Sequence, residues 1–189
     1  PPLRIVTLDI EVDDRHGFPK NGEQRILSIV AHDSYEDEYV GFLDLDGRPI
    51  EDAFGVDELP QSLRDLGLNE VDRLFFEPDE RRMLIRFASW INEHDPDLLT
   101  AWNGVVFDFP YLIERMEKIG VQPGRMSREG RAWTNPRFND VRILGRVLYD
   151  MLEAYKANSW GELDSYKLDD VAADVLGERK VKHDGSVYD

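Results

Sequence analysis

The first apolar run, Leu3 to Val12 (LRIVTLDIEV), is rich in β-formers, too short for a typical helix and closed by acids, and it predicts a buried central strand. Arg25 to Asp33 (RILSIVAHD) and Glu38 to Asp46 (EYVGFLDLD) predict two more strands. Turn residues separate the three: Gly17, Pro19, Asn21 and Gly22 first, then Asp33 to Asp37. Three strands in succession favour a meander. After Glu77 and Pro78 the period changes, and Met83, Leu84, Phe87, Ala88 and Ile91 recur at helical spacing until Asp95 and Pro96 stop the helix. Asp97 to Asn103 (DLLTAWN) is short enough for a fourth strand. Tyr111, Leu112, Arg115, Met116 and Ile119 predict a second helix ending at Gly120. Gln122 to Asn139 has no clear period and reads as a long loop or a hairpin insertion. Val141 to Tyr155 and Tyr166 to Leu176 read as helices, the latter closed by Gly177. Gln61 to Asn69 is weakly patterned and reads as an excursion between strand and helix.

The chain has 189 residues, which fits one domain, residues 1–189, with a continuous core. It contains no cysteine, so a thiolate nucleophile, a Cys-bound zinc and a disulfide are excluded, and any metal must rest on carboxylates and His. No apolar run is long enough to span a membrane and the start lacks the features of a signal peptide, so no membrane partner and a cytoplasmic location are the expectation. The 39 acidic and 23 basic residues leave a net charge of −16. Such a surface repels nucleic acid at ordinary ionic strength, but in molar salt the screening length shrinks to about 3 Å. Acidity with so few Lys points to a salt-adapted cytoplasm, against the plainer reading of an ordinary acidic protein.

Two places carry chemistry. Asp9 and Glu11 lie two residues apart at the end of a strand, so both carboxylates project from one face. Two adjacent anions call for a cation, and hard divalent ions such as Mg²⁺ and Mn²⁺ accept carboxylates while keeping water. A solvated strand end running on into Asp13 and Asp14 accounts for the pair equally well. The second place is Asn103 to Leu112 (NGVVFDFPYL), where a strand gives way to a helix and Asp108 sits near the helix start between Phe107 and Phe109. An ordinary helix cap flanked by core aromatics explains that segment taken alone. Together the two places suggest acids that meet at one metal centre, with aromatic faces nearby for unpaired bases.

These residues carry a resemblance. LDIEV at 8–12, HDPDLLTAWNGVVFDFPYLIERMEKIG at 94–120, GRVLYD at 145–150 and SYKLDDVAADVLGERK at 165–180 together resemble the proofreading 3′–5′ exonuclease domain of family B DNA polymerases, archaeal members above all. The resemblance implies an α/β, ribonuclease H-like fold, a mixed five-stranded sheet flanked by helices, and a nuclease site using two divalent metal ions, Mg²⁺ or Mn²⁺. It implies Asp9, Glu11 and Asp108 as catalytic and metal-binding residues. Asp9 would bridge both ions, Glu11 would bind the first and Asp108 would hold the second mainly through water. It also implies Asn103, Phe107 and Tyr111 as DNA-binding residues along the path of a single-stranded DNA 3′ end, with a nucleoside monophosphate released.

Two departures from the family pattern bear on this. Val12 stands where the family commonly has Thr. The third motif, Tyr-x-x-x-Asp, which supplies the last metal ligand and a tyrosine that orients water, is not reached before Asp189, so the chain is expected to be a piece of a longer polymerase and impaired as a nuclease by itself. Tyr166 and Asp170 have the same spacing but fall in a block that precedes the third motif, and His183 and Asp189 lack the step of histidine-type relatives. His16, His32 and His94 are unclustered. Trp90 and Trp102 read as core, while Trp133 among Arg128, Arg131 and Arg137 marks a locally basic stretch that is either a solvated loop or a phosphate contact. Asp140 and Asp150 read as structural or surface acids. The competing function is a DNA-positioning or structural module without cleavage.

Overall fold

The computed structural model describes residues 2–15, 17–48, 73–135, 137, 140–159, 163 and 165–179. The weakly patterned stretch at 61–69, and positions 16, 183 and 189, lie outside them. Strand β1, Ile5–Val12, alternates as a two-sided strand must: Val6, Leu8 and Ile10 point into the core, and Thr7, Asp9 and Glu11 take the opposite face. Strands β2, Ile26–Asp33, and β3, Glu38–Asp44, follow as an antiparallel meander. Strand β4, Arg73–Glu77, runs parallel to β3 and leads into helix α1, Glu80–His94. The Asp79 side chain accepts the Arg82 N–H at 2.8 Å and caps that helix, and Asp95 ends it in a left-handed conformation with φ 46°. Strand β5, Leu98–Ala101, then returns parallel to β1.

Helix α2, Asp108–Lys118, follows a tight loop, and a 3₁₀ turn spans Pro123–Met126. Beyond it the expectation of a helix over 141–155 is corrected. Ala132–Asn135 (β6) and Asp140–Ile143 (β7) form an antiparallel hairpin, Val147–Asp150 (β8) joins the main sheet beside β5, and helix α3 occupies only Met151–Asn158. Val141 and Ile143 are buried with Arg142 exposed between them, a period of two, and Gly145 at φ 81° turns the chain where a helix would have to continue. Of the 122–139 segment, read as a long loop or a hairpin insertion, the end supplies the first strand of this hairpin, and the second strand lies in the segment expected to be helical. Helix α4, Leu168–Val175, falls within the predicted segment.

The sheet is mixed and has six strands in the order β4-β3-β2-β1-β5-β8, one more than the five expected; the fold is otherwise the ribonuclease H-like arrangement anticipated. β4 had no signal of its own because RLFFE is short and leads without a break into the helix cap. Helix α1 covers one face, where Phe42 meets Phe75, Phe87 and Trp90 at centroid distances of 5.3, 5.4 and 5.8 Å. The amino end of the sheet is tied by charge: Arg4 donates to the fully buried carboxylate of Asp33, and its backbone N–H donates to Asp97 at 3.0 Å. Among the described residues no helix is long and apolar enough to cross a membrane.

Candidate functional site

β5 pairs with β1 only as far as Thr7 opposite Thr100, then turns away after Ala101. Past that point the edge of β1 is open, and the chain leaving β5 folds back across it. Asn103 takes a left-handed conformation (φ 62°), and its carbonyl accepts the N–H groups of Val106 and Phe107 at 3.2 and 3.0 Å. Gly104 sits so close to β5 that a Cβ there would lie 2.5 Å from Ala101 Cβ. This tight loop delivers Asp108 as the first residue of α2 against the open edge of β1.

Asp108 is 3% exposed, and the backbone N–H groups of Asp108 itself and of Ile10, the residue between Asp9 and Glu11, face its carboxylate. Burial first, and then the negative charge of Asp9, push Asp108 up to about 7; the two backbone N–H groups oppose the rise, and Asp150 adds a smaller repulsion. Asp108 and Asp9 thus come together at the carboxyl ends of parallel strands, the usual place for a site in such a sheet. Glu11 stands on the same face of β1 as Asp9, at a break in register with β2 between Glu11 and Val12. Among the described residues no three His, Cys, Asp or Glu side chains form a group able to hold a metal ion. The donor chemistry nonetheless suits a hard cation: burial and, after it, the charge of Asp9 favour the protonated form of Asp108, and a divalent ion would offset both.

Asp150 is the unforeseen support. Its Oδ2 accepts the Val105 N–H at 3.0 Å while Oδ1 caps α3 through Leu152 N–H and Glu153 N–H at 3.0 and 3.3 Å. It therefore pins the 103–107 loop to the end of β8, a structural role in keeping with the sequence reading.

Phe107, the residue before Asp108, and Phe18 face a cleft of about 240 Å³ that is also lined by Lys20, Pro110, Glu114, Thr134 and Asp140, while Asp9 lines a separate cleft with His32, Tyr39 and Trp102. The two rings are 5.6 Å apart between centroids and tilted by 52°. Phe18, at 72% exposure, has no packing reason to be aromatic. An aromatic between Gly17 and Pro19 in a turn-rich segment was the available signal for it. Tyr111, expected beside the DNA, lies on the inner wall of the cleft but is itself buried; its ring stacks behind Phe107 at 5.6 Å and its hydroxyl is held by Gln24, so it backs the exposed rings. Arg128, expected in the basic stretch, is engaged by Asp95 and Asp97 at 2.7 and 2.9 Å. Trp133 is partly exposed on β6. Asp170 and Tyr166 stand on or before α4; Tyr166 accepts the Trp102 indole N–H through its carbonyl, at 3.1 Å.

The family model for the exonuclease domain of DNA polymerase family B matches residues 1–171. The DNA-directed DNA polymerase of Escherichia phage RB69 is 27% identical across 98% of this chain, and the DNA polymerase delta catalytic subunit of Oryza sativa subsp. japonica is 30% identical across 95% of it. The chain spans 22% and 16% of the lengths of these two relatives. The solved family B DNA polymerase of the hyperthermophilic archaeon Pyrobaculum calidifontis superposes on 95% of the chain and 19% of its own length with a TM-score of 0.66 at 23% identity, a likeness of fold.

Proposed function

Since the chain belongs to the exonuclease domain family of the family B DNA polymerases, we propose that it removes nucleotides from the 3′ end of single-stranded DNA by hydrolysing the terminal phosphodiester, in the service of a polymerase whose other domains are its partners. The observation that carries the reading is the nearness of buried Asp108 to Asp9, with Phe107 of the Phe18–Phe107 cleft next to Asp108 in the chain. Ring faces that an unpaired base can use are thus carried by the segment that delivers one of the acids.

In this reading Asp9 and Asp108 would hold the divalent cations, with Glu11 contributing from the same face of β1. When bound, such ions neutralise charge on the phosphate and lower the pKa of water. The chain's own residues do the rest. Asp108 is set at the open edge of β1 by the tight 103–107 loop behind it, with the Ile10 N–H facing its carboxylate. Asn103 fixes that loop through its carbonyl, and Phe107, with Phe18, seats the terminal bases by stacking, which is indifferent to sequence.

The test is stepwise shortening of a 5′-labelled oligothymidylate with Mn²⁺, run with the chain and with the complete product of its gene, each also as Asp9→Ala and Asp108→Ala. Loss of shortening in both variants is expected. Degradation by the variant gene product at the parent rate would overturn the reading. The competing reading, a DNA-positioning module without cleavage, is favoured by the lack of a three-acid group among the described residues; it predicts binding without shortening in the same assay.

A further inference from the structure

Phe18 stands in the long connection between β1 and β2, and an exposed aromatic on such a connection is useful only if the connection is held. The hold comes from α2. Arg115 donates from Nε and Nη2 to the carboxylate of Glu80, at 2.8 and 2.6 Å, and from Nη1 to the carbonyls of Gly22 and Glu23, at 3.3 and 2.8 Å. Glu80 in turn accepts the N–H of Ile26, the first residue of β2, at 2.7 Å. One helical turn before Arg115, the Tyr111 hydroxyl accepts the Gln24 N–H at 3.0 Å and donates to the Gln24 carbonyl at 2.9 Å. Gly22 lies against the helix backbone: a Cβ there would meet Arg115 N at 2.5 Å, and its φ of 62° suits glycine. Residues 22 to 24 and 26 are thus lashed to α1 and α2 by one guanidinium, one carboxylate and one phenol.

This is more apparatus than a surface turn requires. Glu80 is buried and Arg115 largely so, and an ion pair of that kind adds little net stability by itself while fixing the positions of the groups it joins. The guanidinium fork is directed at Glu80 and two carbonyls, not at the cleft. The same helix carries Asp108 at its start and follows directly on Phe107, so the lashing holds the later part of the connection that carries Phe18 against the helix that carries Asp108.

We infer that Arg115 is a positioning residue for the DNA terminus, acting through Phe18 by clamping residues 22–24 to α2. The inference rests on the reading of the Phe18–Phe107 cleft as the seat of the terminal bases. Its consequence is selective: losing the clamp weakens capture of the strand while leaving Asp9 and Asp108 where they are.

A double-substitution cycle tests this. Binding of a 5′-fluorescein oligothymidylate is followed by anisotropy with Ca²⁺ in place of Mg²⁺ or Mn²⁺, for the parent, Phe18→Ala, Arg115→Ala and the double variant. Phe18→Ala and Arg115→Ala are each expected to weaken binding by about tenfold, the scale of one lost stacking contact, and the double variant to bind no more weakly than Phe18→Ala. In the complete gene product, Arg115→Ala should raise KM for the strand and leave kcat in place. Should Arg115→Ala fail to fold, Gly22→Ala takes its place in the cycle, since its Cβ pushes the same residues off the helix. If Phe18→Ala binds as the parent does, the seat itself is misassigned. If Phe18→Ala weakens binding but the second substitution adds its full factor on top, or has no effect alone, the seat stands and the clamp inference fails.

Discussion

Asp108, the first residue of α2, has its carboxylate facing the backbone N–H of Ile10, which stands between Asp9 and Glu11 on β1. The two segments that carry the acids come together there because β5 pairs with β1 only as far as Thr7 and leaves the rest of that edge to the start of α2. The arrangement places a buried carboxylate next to Asp9, and the electrostatics of the site follow from this.

Stability in the presence of a chelator should fall as pH rises from about 4 to about 7. Asp108 titrates near 7 in the folded chain and near 3.9 when unfolded, so between those values the folded state holds a proton that the unfolded state has lost. Raising the pH then favours unfolding, and the effect levels off above about 7. Asp108→Asn removes the contribution. The difference in urea stability between variant and parent should grow across that window in favour of the variant, to on the order of 1–3 kcal/mol at pH 8 with EDTA. A constant difference across the window would contradict the assignment.

Asp33 works in the opposite direction. Burial alone would raise its pKa, but hydrogen bonds from the Arg4 side chain and the Tyr35 backbone, with the charge of Arg4, bring it below the usual carboxylate range. Its stabilisation is present above the unfolded pKa and is lost as pH falls through the lower folded one. Asp33→Ala strips a fully buried partner from Arg4 and should cost about 3–5 kcal/mol at pH 7, with a smaller penalty in acid where the parent has already lost the interaction. Thermal unfolding of both forms at neutral and acid pH measures it.

Local order made much of this fold legible. The alternation in LRIVTLDIEV assigns Asp9 and Glu11 to one face of β1, and the apolar period after Pro110 marks α2 with Asp108 at its head. What stayed hidden depends on distant partners. Val147–Asp150 becomes a strand because β5 offers it a parallel edge, and nothing within 141–155 announces that edge. The connection that carries Phe18 is held at residues 22–24 by Arg115 and Tyr111, some ninety residues further on. Tyr111, expected to bind DNA, is buried, with its hydroxyl held by the Gln24 backbone.

Asp150→Ala should weaken both the fold and the site. The substitution leaves Leu152 and Glu153 N–H groups uncapped at the start of α3 and removes the acceptor for Val105 N–H in the loop that aims Asp108. Loss of a cap and one buried partner costs about 1–3 kcal/mol together. Asp150→Asn keeps one oxygen acceptor where the carboxylate uses two, so it should recover one side of the contact and leave the other N–H facing an amide donor. Urea unfolding separates the two, and strand shortening by the complete gene product should drop further in the alanine form than stability alone accounts for.

A net charge of −16 also sets how the chain meets a polyanion. A protein that binds DNA by displacing counterions loses affinity steeply with salt, by a slope of about −0.9 for each phosphate neutralised. Here the long-range force is repulsive and the seat is aromatic, so screening removes a penalty while stacking is left intact. At about 0.1 M salt the repulsion reaches across ~10 Å of solvent, and at 1 M it is confined to ~3 Å. Affinity for an oligothymidylate should therefore stay level or rise as KCl is increased from about 0.1 M toward 1 M, accompanied by a higher melting temperature as self-repulsion is screened. Anisotropy titrations across that range decide it: a fall of a hundredfold or more would mean that basic side chains neutralising phosphates, not ring faces, carry the binding.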